Sequence, residues 1–158
     1  MFVSMLGACI LTAFSCEKSD INCGRLEFIP IDFTNYSSIT IVDNKVEDKF
    51  LVINSMEEFT EKIHFKHASS DTVNELAIDF TKYTLLIGKK KLTGIAGTLV
   101  NQNVEKVCDS KKYMYKIVVQ SGNYTAIGNF YYGVLISKIT DEKINVHVEV
   151  LNSSLNKN

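Results

Sequence analysis

Glu61, His64 and His67 recur at intervals of three near the end of a helical pattern. On a helix that spacing would bring one carboxylate and two imidazoles to a single face, the donor types of a zinc or copper site. It is not the i, i+4 His pair with an adjacent Glu on which helix-borne catalytic zinc sits, and a cationic His near a helix C-terminus has a plain electrostatic reason to be there. No metal is therefore expected, with His64 and His67 as the candidate ligands. His147 lies on the polar side of an alternating segment, with no Asp or Ser spaced to complete a relay. The chain has no G-x-S-x-G elbow, no phosphate-binding glycine loop and no calcium loop. The expectation is a non-enzyme without a cofactor. A hydrolase assembled from scattered His and carboxylates stands as the third choice, because triads assemble across a fold.

Two further groups of residues could recognise a partner. Lys89, Lys90 and Lys91 form a basic run that could dock an acidic surface or, at a strand end, guard an edge against pairing. Tyr113, Tyr115, Tyr131 and Tyr132 cluster late in the chain, where aromatics could anchor an interface or fill a core. Together these residues are the candidate interaction surface.

The elements that must position them are mostly strands. Ile39 and Ile41 alternate with Thr40, and residues 50–53 are an apolar run, so two short strands are expected to flank a polar turn over 43–48. Ser55 stands three residues before Glu58, the capping-box spacing, and Met56, Phe59 and Ile63 then recur as one helical face. Residues 83–87 are apolar on both sides, as in a central strand, with Gly88 and the lysines ending it or prolonging it toward an edge. A long strand is expected over 95–107, bent near Gly94 or Gly97. Tyr113, Tyr115, Ile117 and Val119 share one face of the next, and 130–139 follow as a buried strand. Ile144, Val146, Val148 and Val150 alternate strictly with Asn145, His147 and Glu149 in the last. Short connections favour antiparallel neighbours. The expected fold is α+β: a mainly antiparallel twisted sheet or partial barrel with one main helix.

The chain has 158 residues, 46% hydrophobic and 22% charged, with a formal net charge of -1. That balance suits one globular domain and excludes a disordered chain, and the near-zero charge gives no general pull toward nucleic acid. Residues 1–15 carry no charge and are rich in Phe, Leu, Ile, Val and Met, the pattern of an export signal too short to span a bilayer comfortably. The run breaks at Cys16, behind Ala13, Phe14 and Ser15. It resembles the lipobox of bacterial lipoproteins, and Cys followed by Glu17 and Lys18 is similar to many Bacteroidota lipoproteins. Leu6-Gly7-Ala8-Cys9 also carries lipobox letters, but a cut there would leave the apolar 10–14 on the mature chain. The resemblance implies a signal peptide over 1–15, diacylation of Cys16, and a cell-envelope protein held by that lipid, at the outer membrane. An apolar first strand is the competing reading of the same residues.

Export would remove Cys9 and lipidation would consume Cys16, leaving Cys23 and Cys108 as an even pair outside the cytosol, which invites one disulfide. Two reduced, buried thiols are the alternative. The organisation expected is thus a signal over 1–15, a lipidated tether over 16–35, one globular domain over 36–151 and a polar tail over 152–158.

Within that domain the order NSMEEF, then IDFTKYTLLIG, then LTGIAG and three more strands resembles the C-terminal domain of protease-complex stabilisers (PrcB-like), over about residues 54–151. In place of that family's Gly-Gly-aromatic turn this chain has Gly94, Ile95 and Ala96. The resemblance implies a non-catalytic domain that binds a protein, protease-associated. The functional expectation is an envelope interaction module, with a small-ligand-binding envelope protein as the alternative.

Overall fold

The computed structural model describes residues 23–33, 36–42, 48–67, 76–93, 97–108, 112–122, 126–140 and 143–151. Residues 1–15, Cys16, Gly94, Ile95, Ala96 and the tail over 152–158 lie outside them. In chain order the elements are β1 (Gly24–Arg25), β2 (Phe28–Pro30), β3 (Tyr36–Ile41), β4 (Lys49–Ile53), α1 (Met56–Lys62), β5 (Ile63–His67), β6 (Tyr83–Thr93), β7 (Thr98–Val107), β8 (Lys112–Gln120), β9 (Ile127–Ser137) and β10 (Lys143–Leu151).

The expected α+β architecture is the one observed, strand-rich with one short helix, and the sheets do not close into a barrel. Two four-stranded sheets run β1-β7-β8-β10 and β2-β9-β6-β4, and β3 pairs with β5 alone. Alternation explains the layers. Along β8, Tyr113, Tyr115, Ile117 and Val119 are buried; along β9, Tyr132, Val134 and Ile136 are buried; with Leu86 and Leu92 of β6 they fill the space between the two sheets. The other face of β6 sends Leu85 and Ile87 into a second core with Ile53, Phe59 and Phe65. The second sheet is therefore covered on both faces, which is why residues 83–87 read as apolar throughout.

Ser55 caps α1 as expected, its hydroxyl accepting from the Glu58 N–H at 3.2 Å. The Glu58 carboxylate reaches back to the Asn54 N–H at 3.0 Å, one residue before the cap. That bond and the Lys62 ammonium, against some desolvation, hold the Glu58 carboxyl below its usual pKa. Burial of Phe59 against Phe65 and Phe80 docks this seven-residue helix, a contribution of about 2–3 kcal/mol. Met56 is exposed, and Ile63 opens the next strand.

Strands stand on both sides of residues 43–48 as expected, and each pairs elsewhere: β3 with β5, and β4 with β6. Inside the stretch expected as tether and entry segment over 16–35, the described residues form two edge strands, β1 beside β7 and β2 beside β9. The described strand pairs are antiparallel, as mainly expected, except one. Between β8 and β10 the chain crosses to the second sheet as β9, so β10 returns beside β8 in parallel, through nine register pairs from Lys143↔Lys112 to Leu151↔Gln120. The intervening strand supplies the long crossover that parallel pairing needs.

One polar knot ties β6 to the residues that follow β4 and β9, all within the second sheet. Thr84, fully buried, donates its hydroxyl to Asn54 Oδ1 at 2.6 Å and accepts from the Ile139 N–H at 3.1 Å, while Lys138 Nζ donates to the Asn54 carbonyl. Thr84→Val keeps the shape but strands an amide oxygen and a backbone N–H, so unfolding free energy is expected to fall by about 1–3 kcal/mol. Urea titration checks this, and an unchanged midpoint would mean that water replaces the hydroxyl at no cost.

Candidate interaction surface

The tyrosines do not assemble into a surface. Tyr113, Tyr115 and Tyr132 are buried between the sheets, while Tyr131 is half-buried on the opposite face of β9, against the second core. Tyr115 donates to Gln102 Oε1 at 2.8 Å and stacks edge-on to Tyr132, with centroids 5.9 Å apart. Burial raises the pKa of all three of Tyr115, Tyr131 and Tyr132, and for Tyr132 the Asp48 charge adds to it. These phenols remain neutral packing groups. Two sheets facing each other need large side chains to span about 10 Å, and the aromatic cluster is spent there.

The lysine run is likewise not one patch. β6 continues through all three lysines to Thr93, while β4 pairs with it only as far as Lys49↔Lys89, so Lys90 and Lys91 lie where β6 has no described partner strand on that side. Alternation sends Lys90 to one face and Lys89 and Lys91 to the other. Lys89 is 8% exposed, opposite Lys49 and Tyr131. Lys90 pairs with Asp48, whose carboxylate also accepts from the Lys91 N–H at 3.0 Å. Desolvation acts against the Asp48 charge, but these bonds together prevail and lower its pKa.

The Glu61, His64 and His67 alignment is not formed. The helix ends at Lys62, so Glu61 is helical whereas His64 and His67 belong to β5, and the helical spacing that would align them does not apply. Among the described residues no group of three His, Cys, Asp or Glu is placed to hold a metal. His64 and His147 are both exposed. Cys23 and Cys108, in contrast, are brought to disulfide distance, with Cα atoms 4.8 Å apart, at the end of the β1/β7 ladder.

Two hollows remain. A cleft of about 220 Å³ opens between the edge strands β4 and β10, lined by Phe50, Tyr132, Val146 and Val148 with the Asp48–Lys90 pair at its side. It is smaller than the roughly 300–1,000 Å³ of ordinary ligand sites. The other, about 470 Å³, is an open hollow beside Arg25, Leu26, Glu27 and Phe28.

A more distinctive surface is one end of the sandwich. There β6, β8 and β10 finish and β7 and β9 begin: Thr93 pairs with Ile127, Thr98 with Gln120, and the Ser121 N–H donates to the Leu151 carbonyl at 2.8 Å. Leu99, Val100, Ile127 and Leu151 are exposed at this end, Val100 by 55% and Ile127 by 63%. Its described strand ends carry no charge between 97 and 104 or between 117 and 130, and the nearest charged side chains along the strands are Lys91 and Glu149. The opposite end is charged: Arg25, Glu105, Lys106, Lys112 and Lys143 gather around Cys23 and Cys108. At about 3.4 Å per residue, the ten residues of β7 separate the two ends by roughly 30 Å. Sequence reasoning passed over this polarity. The signal was present in the uncharged stretches 92–104 and 117–137, but only the topology brings their ends together.

Comparison with known proteins returned nothing that matches this chain, neither a family model nor a characterised protein nor a solved structure.

Proposed function

We propose that this chain is a cell-envelope lipoprotein, anchored through lipid on Cys16 at the outer membrane, whose sandwich domain is a non-catalytic module for binding another envelope protein. The observation that carries the reading is the polarity of the sandwich. The tether enters at the charged end, where Cys23 sits beside Cys108, and the uncharged end with Leu99, Val100 and Ile127 lies at the far end of β7. The core of a protein interface is depleted of charge in the same way. The weak resemblance to protease-complex stabilisers makes an envelope protease or its complex the first partner to test. A disulfide at Cys23 and Cys108 agrees with an oxidising compartment.

The test has two parts. Cys16→Ser is expected to move the protein from the membrane to the soluble fraction, since acyl burial supplies about 0.8 kcal/mol per CH₂ and nothing else is assigned to hold it there. Unchanged fractionation would overturn the anchor. A photo-reactive residue at Val100 or Ile127 in cells is expected to give a discrete protein adduct that the same probe at Lys112 does not. Equal labelling at both ends, or adducts to lipid alone, would overturn the assignment of this surface to a protein.

A further inference from the structure

The four edge strands of the two main sheets are unequal: β1 has two residues, β2 three and β4 five, so parts of β7, β9 and β6 run past them, while β10 has nine and is the longest regular edge among the described residues. Proteins keep edges short, bulged, charged, proline-bearing or covered, because a long regular edge is a template for another strand. β10 is charged only at Lys143 and Glu149 and has none of the other devices. Its ladder with β8 is regular over all nine residues, it contains no proline, and no other described strand flanks it. Its inner residues Ile144, Val146, Val148 and Val150 are only half-buried.

The order of residues in β10 indicates what pairs with it. From Ile144 to Val150 the strand alternates apolar and polar symmetrically about His147, and the symmetry stops at Lys143 and Leu151. Laid antiparallel against its own copy with His147 at the centre, the strand sets Ile144 opposite the partner's Val150 and Val146 opposite the partner's Val148 on the inner face. On the outer face Asn145 meets the partner's Glu149, and Lys143 lies diagonal to that Glu149, within reach of an opposite-charge contact. No two like charges stand opposite. This register uses all nine residues, and the registers shifted by two, which also keep the faces aligned, use fewer.

We infer that β10 is a dimerisation edge: two copies of this chain pair antiparallel through Lys143–Leu151 about a twofold axis at His147, joining their β1-β7-β8-β10 sheets into one eight-stranded sheet. Pairing would satisfy the outward backbone groups of β10 and cover the open side of the cleft at Val146 and Val148. The inference stands apart from the uncharged end proposed for partner binding, which lies at the ends of the strands.

Single cysteines on the exposed face of β10 test it in the full lipoprotein. His147→Cys would place two thiols directly across the axis, within the spacing a disulfide tolerates. Asn145→Cys would place them four strand positions apart, roughly 13 Å. Mild oxidation of intact membranes is expected to give several-fold more species of twice the mass from His147→Cys than from Asn145→Cys, and the detergent-extracted wild type is expected to sediment as a dimer. Equal cross-linking at the two positions, a monomer in detergent, or an adduct of His147→Cys to a different protein would each overturn the self-pairing. None of these outcomes bears on the photo-labelling at Val100 and Ile127, so the two proposals fail separately.

Discussion

Gly88→Ala is expected to lower the unfolding free energy by about 2–3 kcal/mol, as insertion into a well-packed core does. Gly88 faces the space between the sheets directly opposite Tyr132 on β9. An added Cβ would lie 2.5 Å from Tyr132 Cζ and 2.7 Å from the Lys49 carbonyl oxygen, and would also meet the tyrosine oxygen. Neither neighbour yields easily. The ring is buried among Tyr115, Val134 and Ile136, and the carbonyl belongs to the backbone of β4, the strand paired with β6. Valine at the same position would add two methyl groups to the same conflict and is expected to cost more. Urea denaturation reads the effect. Pairing Gly88→Ala with Tyr132→Leu separates its sources, because removing the ring relieves one contact and leaves the carbonyl. A coupling of about 1 kcal/mol or more between the two substitutions would identify the ring as the main obstacle. A Gly88→Ala protein as stable as the parent would mean that β4 can shift away at no cost.

Cys108→Ser is expected to cost about 2–5 kcal/mol under oxidising conditions, the usual range for losing a disulfide that closes a long loop. The two cysteines are 85 residues apart, and the chain between them includes every element from β1 to β7. A cross-link there restricts the unfolded chain, which is where the entropic part of the effect lies. It also pins β1, whose two residues alone make a weak pairing with β7. Cys23→Ser should match Cys108→Ser, and the double variant should be no worse than either. Denaturation with and without reductant checks the assignment: parent and variants should converge once reduced. If reduction leaves the parent unchanged, the thiols are unlinked in solution.

The two effects differ in how legible they were. The cysteine pairing followed from counting, because two thiols remained once Cys9 and Cys16 were assigned elsewhere. The glycine did not. Gly88 reads as a strand terminator, and its purpose depends on Tyr132, forty-four positions later, crossing over it. The histidines went the same way: a helix that stops at Lys62 instead of continuing to His67 turns an aligned set into one split across two elements. Local pattern extends a helix until a stronger signal ends it, and here the pairing of Ile63–His67 with β3 ended it.

By itself the chain determined which side of each strand is apolar, where the one helix starts and which cysteines could meet, because a period of two, a capping hydroxyl and a count of thiols are all local facts. It also carried the strict alternation of the last strand. Only the tertiary structure decided which sheet each strand joined, that β10 returned parallel to β8, that three of the four candidate tyrosines went inside, and that uncharged strand ends met opposite the cysteine pair. Those outcomes depend on contacts between residues distant in sequence. Alternation assigns a strand its faces but not its neighbours.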